Sequence, residues 1–353
     1  MTSRHEVALL RIVAQRLVDP PDDDAAAVVR WLGAVQAQDH PGALTSVALR
    51  TTSRRLSGVV EAMARGDVVR SWPMRGTLHL VPAADLGWML ALTGPRMIAA
   101  AASRRRELGI DDDDVTAARA VAEKHLSGGR TLHRADLMAA WVTAGLPAQS
   151  SGGYHLLCVL AQQAVLCFGP LDGKEPLICL VDEWVQHPSR PEREESLGLW
   201  AERYFRSHGP APVKDFARWT GLTAADVRTG VALARPALAS VDVDGVEHLL
   251  DPATPEHLDR CRDQARGTLM LPGFDELLLG YGDRSAVLDP EHSALVVPGG
   301  NGVFQPTVVH DGRVVGTWHH RRRAGGTELE VAPFGTLDPA VAADVEGAYA
   351  ALP

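Results

Sequence analysis

The hydrophobic positions of the chain fall into blocks in which apolar residues recur every three or four places, followed by short stretches where they alternate. The clearest block lies between residues 194 and 250. Residues 194–207 read as one amphipathic helix. Pro212 then opens a short helix over VKDFARWTG, which Gly221 ends, and Thr223 caps a third over AADVRTGVALARP, stopped by Pro236. The stretch ALASVDVDGVEHLL alternates apolar and polar residues around Asp244-Gly245, a strong signal for a two-residue hairpin.

The same order is predicted twice more upstream. Helices over 114–126, 133–143 and 154–165 precede VLCFGPLDGKEPLICLV, a strand, an Asp-Gly turn and a strand. At the N-terminus, helices over 6–18, 24–35 and 56–65 precede an extended pair over 68–81. Three helices and a hairpin are the order of a winged helix, a variant of the helix-turn-helix. The three copies share pattern and not residue identity. From about Leu269 the runs ALVVP, TVVHDGRVVGTW and TELEVAPFG alternate with Gly, Asn and Asp, with Asp311-Gly312 and Gly325-Gly326 as hairpin turns. The expectation is an α+β chain of three tandem winged helices, over 1–110, 111–190 and 191–266, followed by a small C-terminal β-barrel over 267–353.

Composition narrows the class. The 353 residues are 46% hydrophobic and 22% charged, which suits an ordinary globular protein. The N-terminal stretch has charges inside every apolar segment, and the later apolar run from 86 to 102 is interrupted by Pro95 and Arg96, so neither a signal peptide nor a membrane span is expected. Four cysteines without Cys-x-x-Cys spacing argue against a disulfide framework or a zinc site and point to a reducing cytoplasm. The net charge of -9 excludes coating of nucleic acid by bulk positive charge, so any DNA contact must come from local patches.

No phosphate-binding glycine loop, nucleophile elbow or His-Glu-x-x-His helix occurs, and no cofactor or metal is called for. His319-His320, the one adjacent histidine pair, leads into Arg321-Arg322-Arg323 and reads as an exposed basic strand end. The notable local feature is LGAVQAQDHPG. On a helix, residues two apart point about 200° away from each other, so Gln36 and Gln38 can share a cavity only if the chain is extended there. Pro41 disfavours helix at His40. The helix is therefore expected to end near Val35, with both amides turned to one side. A glutamine amide can both donate to and accept from one water, but spacing alone leaves helix-end capping open as the alternative. Asp39 beside them reads as a helix-terminus or turn residue. In VVRSWPMRGTLHLVP, an extended chain puts Arg75, Thr77 and His79 on one face and Gly76, Leu78 and Leu80 on the other, as in a wing that meets phosphates or in a plain edge hairpin. Arg104-Arg105-Arg106, close to the acidic run 111–114, reads as a solvated loop.

Gln36-Ala37-Gln38, RSWPMRGTLHLV at 70–81, LPGFDELLLGYGDRS at 271–285 and NGVFQPTVVHDGRVVGTW at 301–318 together resemble the AlkZ-like winged-helix DNA glycosylases of the AlkZ/YcaQ superfamily. The resemblance covers nearly the whole chain. It implies three winged helices and a C-terminal barrel in a C-shaped clamp, and it gives Gln36 and Gln38 the role of holding the hydrolytic water. A second branch of the family carries Gln-x-Asp, so this sequence is similar to the Gln-x-Gln branch, which serves self-resistance to DNA-alkylating antibiotics. The partner implied is double-stranded DNA carrying alkylated purines, bound by a monomer. Arg70 and Arg75 of the first wing and His320, Arg321 and Arg322 of the barrel are the expected DNA contacts.

Two readings follow. One is a monofunctional glycosylase that hydrolyses the N-glycosidic bond of bulky or crosslinked N-alkylpurines and leaves an abasic site. The other is a non-enzymatic winged-helix DNA-binding protein, such as a transcriptional regulator, whose glutamines serve structure only.

Overall fold

Caps and turns set most element boundaries where the sequence puts them. The structure, a computed structural model, describes residues 2–323 and 326–353, with the side chains of 322–327 outside the description. The expected turn at Gly325-Gly326 lies outside the described residues. The chain divides into two compact units, Val60–Ser196 and Met1–Val59 with Leu197–Pro353.

In the unit Val60–Ser196, the acidic run opens a helix. Asp111 accepts from the backbone of Asp114 at 2.8 Å while Asp114 accepts from the backbone of Asp111 at 3.0 Å, a reciprocal cap that starts helix Asp112–Leu126. Helices Arg134–Thr143 and Ser151–Gln162 follow, then the hairpin Leu166–Asp172 and Glu175–Leu180. This hairpin joins Val68–Met74 and Thr77–Pro82 in an antiparallel sheet, Val68–Met74 lying beside Leu166–Asp172. Trp72, Trp141, Leu156, Leu160 and Ile178 fill the core.

One expectation is corrected here. The arginine triplet lies on helix Ala102–Glu107 and not in a loop, with Arg104 paired to Glu107 and Arg105 to Asp112. Helix Leu86–Ala100 runs through Pro95. Its 15 residues reach only about 22 Å, against about 30 Å of bilayer hydrocarbon. Among the described residues, no helix is long and apolar enough to cross a membrane.

In the other unit, Ser3 caps helix Arg4–Ala14, which packs against Thr254–Arg266. Helices Ala25–Leu32 and His40–Ala48 follow. Later come Arg193–His208, most of which belongs to this unit, then Val213–Thr220 and Ala224–Ala234. Gly221 takes the left-handed conformation (φ +68°) and Thr223 accepts from the backbone of Asp226, as their sequence positions predict. The hairpin Ala239–Val243 and Val246–Leu250 turns at Asp244-Gly245 (φ +52° and +79°).

Beyond residue 267, strands Thr268–Leu271, Thr307–His310, Arg313–Arg323 and Gly326–Pro333 pair in chain order into an antiparallel sheet, with helix Pro339–Ala350 after it. The second and third of these strands turn at Asp311-Gly312. None of the described pairings joins the two edge strands, so they make a four-stranded sheet where a barrel is expected. ALVVP, expected in the β-rich part, is instead a helical turn, Ser293–Val296, bracketed by Pro290 and Pro298.

Candidate active site

The segment that carries the glutamines is fixed at both ends by backbone requirements. Helix Ala25–Leu32 stops at Gly33, whose φ of +79° suits glycine, and a Cβ there would lie 3.6 Å from the Trp219 indole. The helix thus ends three residues earlier than Val35. Val35–Gln36 is extended, and a new helix starts at His40 with Pro41 in its first turn. Proline is tolerated there because its missing N–H would have no partner within the helix. Asp39 occupies the N-cap position, and its carboxylate lies where a Cβ at Gly42 would go, beside the helix's positive end.

Both amides do turn to one side, because residues two apart share a face of extended chain. The Gln36 Nε2 donates to Gln38 Oε1 at 3.0 Å, and the Gln38 backbone N–H donates to Gln36 Oε1 at 3.2 Å. Gln36 is buried, Ala37 is fully buried, and Gln38 is exposed. The pair is thus one held amide carrying one solvent-facing amide.

Behind it stands a polar scaffold made by the FDE stretch at 274–276. The Gln36 backbone N–H donates to Glu276 Oε1 at 3.1 Å. Glu276 Oε2 accepts from Trp219 Nε1 at 3.0 Å and lies 3.4 Å from His208 Nε2. The His208 ring stacks on Tyr204, with centroids 4.7 Å apart and 11° between planes. Asp275 accepts both Arg50 Nη atoms at 2.9 Å, the Ser46 hydroxyl at 2.6 Å and the Leu277 backbone at 3.0 Å. Arg50 also reaches the Gln15 carbonyl at 2.9 Å and Gln15 Oε1 at 2.8 Å, and Gln15 donates to the Tyr281 hydroxyl. Arg50, Asp275, Glu276 and His208 are all buried. Burial also pushes the Tyr204 and Tyr281 phenols well above their ordinary range, so both stay neutral.

This scaffold was missed by sequence reasoning. Its partners lie up to 266 residues apart in the chain, and the one local signal is a pair of adjacent carboxylates inside the apolar stretch FDELLLG.

The expected DNA contacts divide. Arg70 is a correction: only 8% exposed, its guanidinium sits 5.3 Å from the Phe168 ring, and burial pulls its pKa down to about 10. A side chain sealed against its own sheet does not reach a phosphate. The polar face expected for Thr77 and His79 is corrected as well. His79 is fully buried, with Nδ1 2.8 Å from the Thr77 carbonyl. Arg75 is exposed at the hairpin turn (φ +54°), with one Nη 3.2 Å from His79 Nε2. His320 is exposed and meets Trp318 edge-on at 5.3 Å. Arg321 is exposed but donates to Glu330 at 3.1 Å, and the Arg322 side chain lies outside the described residues.

Comparison with known proteins covers this site and nearly all of the chain. The family model described as DNA glycosylase AlkZ-like matches residues 29–352. An interstrand DNA cross-link repair glycosylase of Streptomyces sahachiroi is 30% identical over 367 residues, covering 99% of this chain and 96% of the relative. The solved structure of the Streptomyces sahachiroi DNA glycosylase AlkZ matches with a TM-score of 0.80 at 28% identity, over 99% of this chain and 95% of that one. These likenesses run through the whole α+β fold and make the protein a DNA glycosylase, so the purely DNA-binding reading falls. The chain belongs to the AlkZ-like DNA glycosylase family.

Proposed function

We propose that this glycosylase hydrolyses the N-glycosidic bond of bulky or crosslinked N-alkylpurines in double-stranded DNA, N7-alkylguanine foremost, with Gln36 and Gln38 as its catalytic pair. The observation that carries the reading is the paired amides, one buried and one open to solvent. Gln38 keeps two N–H donors and a second lone pair on Oε1 for a water. An alkyl group on N7 leaves the base positively charged, so the bond from C1′ breaks with its electrons going to the base, which departs neutral. The water held by Gln38 then adds its oxygen to C1′ and releases a proton to solvent, leaving an abasic site. Because the leaving group needs no protonation, neutral amides suffice; a normal base would need acid–base help worth about 10² to 10⁴ in rate.

In this reading the chain belongs to the Gln-x-Gln branch. It acts as a cytoplasmic monomer in repair of, or self-resistance to, a DNA-alkylating natural product. The repair activity named for the Streptomyces sahachiroi relative supports crosslinks as substrates. The recurrent order of three helices and a hairpin supports three winged-helix modules over 1–110, 111–190 and 191–266, with a β-rich module over 267–353. Arg75, His320, Arg321 and Arg322 are the proposed phosphate contacts.

The test is excision from duplexes carrying either N7-methylguanine or an N7-linked interstrand crosslink, followed by alkali to break abasic strands. The wild type should yield breaks, and Gln36→Ala and Gln38→Ala should each slow their formation by about 10²-fold, the cost of misplacing one reactant. Wild-type rates in both variants would remove the glutamines from the mechanism.

A further inference from the structure

The buried carboxylate of Glu276 faces donors on both of its oxygens. The Gln36 backbone N–H reaches Oε1 at 3.1 Å and the Trp219 indole N–H reaches Oε2 at 3.0 Å. Both groups are donors and nothing else, whatever the tautomer of His208 near Oε2. A side chain that can accept on both of its oxygens is therefore required between them, which a carboxylate supplies and a carboxamide does not. Its backbone is anchored in turn: Gln15 donates to the Glu276 carbonyl at 3.2 Å, and the adjacent Asp275 is locked by Ser46 of helix His40–Ala48 and by Arg50 just beyond that helix. The Gln-x-Gln segment thus lies between two contacts to consecutive residues, Glu276 before it and Asp275 after it.

We propose that Glu276 is a positioning residue for excision, holding the Gln36 backbone so that the Gln36 amide presents Gln38 to the water. This rests on the glutamine pair being catalytic, as proposed above. Glu276 touches no substrate in this scheme. Its hold passes from the Gln36 N–H to the Gln36 side chain and from there, through two hydrogen bonds, to Gln38.

Glu276→Gln keeps the shape but replaces one acceptor with an NH2 group. Whichever way the carboxamide turns, it sets a donor against either Gln36 or Trp219. Adding Trp219→Phe removes one of the two rival donors and frees the carboxamide oxygen for Gln36. Single-turnover excision, duplex affinity and melting temperature are measured for the wild type, E276Q and E276Q/W219F. E276Q should be about ten- to hundredfold slower, the range for losing a hydrogen bond to a charged group, with duplex affinity unchanged. The double variant should regain part of that rate although its melting temperature falls further, because an indole has left the core. A purely structural role gives the opposite order, with the double variant slower still.

A wild-type rate in E276Q, or a double variant no faster than E276Q, overturns the proposal. Should E276Q fail to fold, E276D keeps the charge and withdraws it by one methylene, and a wild-type rate there is equally fatal. If the wild type excises nothing, the functional reading fails on its own. The anchor is then judged by amide exchange at Gln36, which E276D must accelerate; unchanged exchange overturns it.

Discussion

Trp72, Trp141, Leu156, Leu160 and Ile178 seal the interior of the unit Val60–Ser196, where the Trp141 indole meets the Ala118 carbonyl at 2.9 Å and His79 is a buried titratable group bonded within its own hairpin. The other unit places the pair Arg50–Asp275 and the carboxylate of Glu276 deep inside, with Gln15, Ser46, His208 and Trp219 around them. Apolar packing is non-directional and tolerates exchange of similar volumes. A buried ion pair contributes little net stability but is costly to break, since each charge needs its donors or acceptors in place. The first kind of core fixes that a unit folds; the second fixes where particular backbone atoms stand. The glutamine segment lies against the second.

The contrast can be broken most sharply at Arg50. Arg50→Met leaves the Asp275 charge uncompensated and should cost about 3–5 kcal/mol in urea unfolding. It should also slow excision per folded molecule, because Asp275 is then tied to helix His40–Ala48 by Ser46 alone. Leu160→Ala should cost about 2–5 kcal/mol yet leave the folded fraction excising at the wild-type rate. If Leu160→Ala slows excision and Arg50→Met does not, the division of labour is wrong. The smallest effects sharpen the comparison by testing a device common to both units. Thr223→Ala and Asp111→Ala each remove a helix cap and should each cost about 1 kcal/mol, read as equal shifts in the unfolding midpoint with no change in excision.

Features governed by neighbours within four residues were legible in the chain. Gly221 and Thr223 end and start helices where expected, and Asp244-Gly245 and Asp311-Gly312 turn hairpins. The extended Gln36 follows from side-chain direction taken together with Pro41, although the helix ends already before Gly33, where positive φ decides. Pro41 misleads in part: a proline disfavours helix at the residue before it, yet this one sits in the first turn of a helix that starts at His40. ALVVP misled because four apolar residues do not reveal period, and its flanking prolines bend it into a helical turn. Arg70 and the Glu276 anchor were illegible for a common reason. What surrounds them, Phe168 in one case and Gln36, Trp219 and His208 in the other, comes from distant stretches of chain.

The tie between Gln36 and Glu276 has a consequence for biosynthesis. At about 5–20 residues per second, the ribosome needs roughly 10–50 s to add the 240 residues that separate them. During that interval the nascent polypeptide holds both glutamines without Glu276, so the N-terminal helices emerge long before the Gln36–Glu276 contact can form. That contact is made only late in translation, after the residue at 276 has left the exit tunnel.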